Sequence, residues 1–258
     1  MFLIDSHCHL DFPDFDNDRE ELIHRCVQQG VQRFLVPGVT ADTWERLQKI
    51  SRQHSEIIPA YGLHPYFVGK HTIHDVSRLS EFIEINHSAA IGEIGLDYYD
   101  KSLDREQQKE FFFSQLDIAK FSNLPVVLHV RKAHDEVISR LKLIKLRGGI
   151  VHAFNGSLQQ AKQYCDLGFV LGFGGTILNP NAVKIMGLLK QLPIENIVLE
   201  TDSPDMTPLD STSSRNTPLT VVKVAERVSQ LRDMEIGELT TITSKNFSSI
   251  IDVNPNVA

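Results

Sequence analysis

His7 and His9, one residue apart in the run Asp5-Ser6-His7-Cys8-His9, have the type and spacing to share one divalent cation. In an extended strand successive side chains alternate faces, so both imidazoles would project to one side and Cys8 to the other. Two histidines can also do no more than satisfy local hydrogen bonds, so partners elsewhere must decide. Five further polar residues stand at or just past the ends of short apolar runs: His64, Glu93, His129, His152 and Asp202. Counting His7 and His9, five of the 11 histidines occupy such positions, whereas His24, His54, His71, His74, His87 and His134 fall in expected helices or loops and should face solvent. The set His7, His9, Glu93, His129, His152 and Asp202 exceeds what one catalytic zinc takes, usually three protein ligands and a water. Two cations fit it better, with Glu93 as the bridging carboxylate. The alternative for so many polar groups is a hydrogen-bonded network closing one end of a barrel. Mixed imidazole and carboxylate ligation suits Zn, Mn, Fe or Co, with Mg also open. Asp202 can act as both ligand and general base toward an activated water.

The elements that must position these residues are eight short runs: Phe2 to Ile4, Arg33 to Val36, Ile57 to Tyr61, Ala89 to Ile91, Val126 to Leu128, Gly149 to Val151, Phe169 to Leu171 and Ile197 to Leu199. Each is too brief for a buried helix, and several are β-branched, as strands covered on both faces should be. Amphipathic stretches separate them. Asp104 and Gln107 form a capping box ahead of Phe112, Leu116 and Ala119 on one face. Pro218 to Leu231 carries Val221, Val224, Ala225 and Val228 on one stripe. Strand and helix alternating eight times predict an α/β TIM (β/α)8 barrel as a single domain over 1–258, with a doubly wound open sheet as the weaker option. Barrel enzymes carry their chemistry at the carboxyl ends of the strands, where this chain has its polar residues. The long irregular stretch Asp205 to Thr217 follows the eighth strand, where active-site loops lie.

Other residues near the strand ends admit two readings each. Arg131 can clamp a phosphate or pair with a carboxylate. Glu200, one pleat deeper than Asp202, can support a metal ligand or sit in a buried charged network. Gly172-Phe173-Gly174-Gly175-Thr176 can bind phosphate with backbone amides or allow a tight turn. Tyr66, Phe67, Tyr98 and Phe173 can stack on nucleobases or pack as a lid.

The net charge of −7 counts against holding nucleic acid by a broad basic surface and leaves room for a small phosphate site. Three cysteines, Cys8, Cys26 and Cys165, fit neither a disulfide framework nor a thiolate zinc site, as in a reduced cytoplasmic protein. No apolar run approaches a membrane span, and no obligate protein partner is evident.

Six motifs in order resemble those of the TatD-type metal-dependent deoxyribonucleases of the amidohydrolase superfamily: Asp5 to Leu10, Tyr61 to Pro65, Gly92 to Tyr98, His129 to Ala133, His152 to Gly156 and Glu200 to Pro204. The similarity runs nearly end to end. It implies a barrel with a divalent metal pair held by the six residues above, Glu93 taking the place a carboxylated lysine has in many amidohydrolases. It also implies that His64 and Arg131 face the substrate phosphate. Ser203-Pro204-Asp205-Met206-Thr207-Pro208 departs from the best-characterised nucleases and is similar to another branch of the family, which bears on the substrate. The expected activity is hydrolysis of phosphodiesters, as a 3′-to-5′ exonuclease on DNA. The alternatives are hydrolysis of a small-molecule amide, lactone or phosphomonoester and, from another class, a silent barrel that binds a partner.

Overall fold

Each of the eight apolar runs overlaps a parallel strand, the fourth only at Ile91, in the structure, a computed structural model that describes residues 2–209 and 214–252. The strands are β1 (Leu3–Asp5), β2 (Val31–Pro37), β3 (Ile57–Ala60), β4 (Ile91–Asp97), β5 (Val126–Arg131), β6 (Gly149–Val151), β7 (Phe169–Phe173) and β8 (Ile197–Leu199). Each is followed by its helix: α1 (Arg19–Gln28), α2 (Trp44–Gln53), α3 (Ile73–Ile85), α4 (Arg105–Ser122), α5 (His134–Leu143), α6 (Leu158–Asp166), α7 (Val183–Gln191) and α8 (Thr220–Arg232). A further helix, α9 (Ile236–Ile250), completes the described chain. No described helix is long and apolar enough to cross a membrane.

Two ladders, β1-β2-β3 and β4 through β8, close into a TIM barrel through backbone contacts at both seams. Tyr61 bridges Ile91, with the Gly92 amide donating to the Tyr61 carbonyl at 2.9 Å. At the other seam the Ser6 amide donates to the Leu199 carbonyl at 2.9 Å. Ile4, Leu35, Ile58, Val127, Ile150, Val170 and Val198, from seven different strands, pack with one another and with Phe247 and Ile251 at the end of α9. Asn246, on the same helix, donates from Nδ2 to the carbonyls of Ile194 and Ile197 and so pins α9 to the start of β8.

The expected helix signals work as local chemistry. Asp104 Oδ1 accepts the Gln107 amide at 3.0 Å and opens α4, whose Phe112, Leu116 and Ala119 are buried. The predicted stripe of α8 is likewise buried. The stretch Asp205 to Thr217 lies partly outside the described residues.

Two of the histidines expected in solvent are buried instead. His71 donates from Nε2 to the His64 carbonyl, 2.9 Å away, and packs edge-on against Phe111. His134 sits between the Tyr164 hydroxyl and Asn155 Oδ1, each at 3.2 Å. Spacing along α5 did not expose this, because the partners come from α6 and the loop after β6. Burial holds the His134 imidazole below its ordinary pKa. The unfolded state therefore binds this proton more readily, and the stability that neutral His134 contributes falls as pH drops below about 6.5. Between pH 7 and 5 the thermal midpoint of the wild type should fall further than that of His134→Gln, measured by circular dichroism melting.

Candidate metal centre

Strand alternation carries the interior of the barrel directly into the polar site. Val127, Ile150, Val170 and Val198 point inward, and two positions on are His129 and Gly172 within β5 and β7 and His152 and Glu200 one residue past the ends of β6 and β8. Gly172 belongs to this polar layer for a steric reason. A Cβ there would lie 2.1 Å from Glu200 Oε2, so the glycine makes room for a carboxylate. Its φ is not left-handed, and neither the tight-turn nor the phosphate reading of the Gly-rich run is needed for it.

Glu93 does not end strand four as expected; it is the third residue of a seven-residue β4, and its side chain is almost wholly buried. It is the hub. Oε1 lies 3.0 Å from His129 Nδ1, 3.1 Å from His64 Nε2 and 3.5 Å from His152 Nε2. Oε2 lies 3.2 Å from His7 Nε2 and 3.7 Å from His9 Nε2. Across the site, Asp202 Oδ1 stands 3.6 Å from His7 Nε2 and 3.7 Å from His9 Nε2.

His7 and His9 also sit differently from expectation, since β1 ends at Asp5 and both lie in the loop beyond it. Their convergence is made by pairing to β8 rather than by strand alternation. Asp5 accepts the Thr201 amide at 2.9 Å and the Thr201 hydroxyl at 2.6 Å, while the Asp202 amide donates to the His7 carbonyl at 2.9 Å. Cys8 points into the apolar core, as the sequence implied. Lys132, Ala153 and Asp202, just past β5, β6 and β8, have left-handed φ of 54°, 44° and 58°. Each costs on the order of 1–3 kcal/mol, and such strain gathers where side chains must be aimed at a site.

The charges are strongly coupled. Burial would raise Glu93, but His64, His7 and His152 outweigh it and hold the carboxyl well below its usual range. Burial drives His7 well below an ordinary imidazole and His9 down to about 4. For His152 burial is outweighed by Asp202, Glu200 and Glu93, which lift it to about 10. Asp202 is pushed up to about 7, first by burial and then by Glu93 and Glu200, against the lowering pull of His152.

Two groups of donors have atoms near enough to enclose a cation, His7 with Glu93 and His152, and His7 with His9 and Asp202. The buried His7 Nε2 reaches both carboxylates without a hydrogen bond of good geometry to either. Lone pairs aimed at a common space, with carboxylates to balance charge, fit divalent cations. A third group joins His64 with Glu93 and His129. His64 is chemically different, because its Nδ1 accepts the Tyr66 amide at 3.0 Å, which leaves the proton of the neutral ring on Nε2. Burial keeps that ring neutral. His64 therefore presents a donor to the site, not a lone pair.

Around the centre lies a cavity of about 570 Å³, bounded on one side by His64, Arg131 and Tyr66 and on the other by Phe12, Ile185 and Met206. Arg131 Nη1 is 3.6 Å from Asp97 Oδ2 and half-exposed, so it meets a carboxylate and still faces the cavity. Glu200 accepts the Ala153 amide at 2.6 Å and lies 3.3 Å from His152 Nδ1. Asp97 was not singled out in the sequence, yet its Oδ2 is 3.0 Å from His129 Nε2. A carboxylate on the same strand face as Glu93, two pleats further on, was the available signal. Of the expected stacking aromatics, Tyr66 is exposed and Phe67 lines the cavity. Phe173 also borders the cavity but is buried, and Tyr98 is half-buried with its hydroxyl donating to Glu136.

Comparison with known proteins places these observations in a family. The TatD-related DNase family matches residues 4–252. The metal-dependent hydrolase YjjV of Escherichia coli (strain K12) is 36% identical over 254 residues, covering 97% of this chain and 98% of that protein. Its crystal structure superposes with a TM-score of 0.94 at 35% identity, covering 98% of both chains. The 3′-5′ ssDNA/RNA exonuclease TatD of Erwinia tasmaniensis is 31% identical over 259 residues, 97% of this chain and 100% of that protein.

Proposed function

The chain belongs to the TatD-related DNase family, and from that premise we propose that residues 1–258 act as one domain, a cytoplasmic phosphodiesterase that trims nucleic acid from a 3′ end. It is a metal-dependent hydrolase by family. His7, His9, Glu93, His129, His152 and Asp202 would hold two divalent cations, Zn, Mn, Fe, Co or Mg, with Glu93 between them. Five imidazoles gathered on one buried carboxylate are the observation that carries this reading. When bound, the cations would lower the pKa of a water and neutralise charge on the phosphoryl group.

The protein's own groups do the rest. Asp202, whose Oδ1 stands 3.6 Å from His7 Nε2, takes the proton of the attacking water at its carboxylate. His64 Nε2–H and the Arg131 guanidinium face the phosphoryl oxygens from the β3 and β5 sides and orient them. The apolar wall of Phe12, Ile185 and Met206 narrows access by water. Asp97 holds the outward nitrogen of His129, fixing which nitrogen of that ring faces Glu93, and Glu200 lies 3.3 Å from the outward nitrogen of His152. Asp97→Asn should leave the fold intact and weaken metal affinity about 10- to 100-fold, read by competition with a chromogenic chelator.

The deciding experiment is digestion of 5′- and 3′-labelled oligonucleotides with added Mn or Mg, beside a panel of amides, lactones and phosphomonoesters. Stepwise loss from the 3′ end with no amide or lactone turnover is the expected result. Turnover confined to the small-molecule panel would replace it with the alternative reading.

A further inference from the structure

Two exposed tyrosines are tied to the metal centre, each through a short hydrogen-bonded path, and neither is needed for its chemistry. Tyr66 is 51% exposed, and its amide donates to His64 Nδ1 at 3.0 Å. Phe67 meets its ring edge-on, centroids 5.4 Å apart. Tyr99 is 57% exposed, and its amide donates at 2.9 Å to Asp97 Oδ1, whose other oxygen holds His129. Two cations lie against the Tyr99 ring, Arg131 at 4.1 Å and Lys132 at 5.1 Å from the centroid. The left-handed φ at Lys132 turns the chain just past β5, where this ammonium comes to lie beside the ring. The segment bearing Tyr66 packs against β4 and α4, the elements on either side of Tyr99, so the two tyrosines stand on neighbouring segments.

Each tyrosine has its backbone amide fixed to a group of the site while its ring faces solvent. An exposed Tyr66 ring and a Tyr99 ring with two cations beside it match what an unpaired strand needs: faces on which bases stack and positive charge beside the backbone. A duplex offers neither, because its bases are stacked on each other.

We propose that Tyr66 and Tyr99, with Arg131 and Lys132, form a track on the β3–β5 side of the rim that binds the single-stranded nucleic acid leading away from the scissile phosphodiester. This rests on the phosphodiesterase reading of the centre and assigns the residues that would hold the strand beyond the scissile bond. Of the four aromatics expected from sequence to stack, it keeps Tyr66, takes Tyr99 in place of Tyr98, and leaves out Phe67 and Phe173.

The test uses the Mn-loaded enzyme and two substrates, an oligothymidylate of eight nucleotides and the p-nitrophenyl ester of thymidine 5′-monophosphate, which is too short to reach the rim. The wild type should cleave both, with a KM for the oligonucleotide lower by at least about tenfold. Tyr99→Ala and Tyr66→Ala should each raise the oligonucleotide KM by about 5- to 100-fold, the range that removal of one base-aromatic stack gives, with kcat little changed. Tyr99→Phe should restore it. Lys132→Ala should flatten the log–log salt dependence of that KM by about 0.7, the slope that one neutralised phosphate of a single strand supplies. An equal loss on both substrates in Tyr99→Ala means a structural role and overturns the track. So does an unaltered oligonucleotide KM, or a duplex bound as tightly as a single strand; in those cases cleavage of the short ester leaves the phosphodiesterase reading standing. Cleavage of neither substrate by the wild type overturns both.

Discussion

Glu93→Gln should lose both bound cations and lower kcat/KM for a phosphodiester by at least about 10³-fold, while the barrel stays folded. The substitution keeps the volume of a side chain that is 1% exposed and removes only its charge. That charge is shared by five imidazoles lying 3.0 to 3.7 Å from its two oxygens. An amide offers a neutral, weaker acceptor and a donor nitrogen in place of two anionic oxygens, so it cannot bridge two cations. The metal contribution to phosphoryl transfer is several kcal/mol, and each 1.4 kcal/mol is about a factor of ten, which sets the expected loss. Metal content by inductively coupled plasma spectrometry, together with circular dichroism and steady-state rates, reads all three quantities. A variant that keeps two ions and wild-type turnover removes Glu93 from the bridging position.

Exhaustive chelation should abolish turnover and lower the melting temperature by roughly 5–15 °C. At free metal 100 to 1,000 times Kd, binding to the folded state alone stabilises it by about 2.7 to 4.1 kcal/mol. For a chain of this length each kcal/mol moves Tm by about 2–4 °C. The unbound cluster is costly on its own terms, because His7, His9 and Asp202 are each held by burial away from their ordinary protonation. Differential scanning calorimetry before and after chelation, then after adding back Zn, Mn, Fe, Co and Mg singly, measures the shift and ranks the metals. Full turnover in excess chelator ends the metal reading.

The barrel was legible because its determinants are local. Short β-branched runs such as Val126 to Leu128 and Gly149 to Val151 are strands in the structure, and β6 and β8 have the predicted bounds. Capping by Asp104 and the stripe of α8 depend on residues three or four apart, so helical periodicity carries them. Strand ends were less accurate at β4 and β5, which run on through Glu93 and His129 to Asp97 and Arg131. Polar residues look like terminators in a sequence, yet these remain in the ladder because their side chains enter an enclosed polar site.

The side-chain network at the mouth was not legible in the same way. Asp97 reads as one more surface acid until β5 brings His129 against it, and Tyr98 and Tyr99 look equivalent until Glu136 and Arg105 engage the first and leave the second on the rim. Burial of His71 and His134 likewise depends on partners from other elements.

From sequence alone, His7 and His9 were two ligands facing one way because a strand alternates. That they converge is correct, and the cause is different: β1 stops at Asp5, and the Asp5 carboxylate with the His7 carbonyl draws the loop onto Thr201 and Asp202, nearly two hundred residues later. The order and chemical type of the ligand candidates were set by the sequence, since residue type and strand period are properties of short segments. Their distances, their shared charges and the choice of nitrogen on each ring were set only by closure of the barrel, because hydrogen bonds between strands one and eight do not exist until the two ends of the sheet meet.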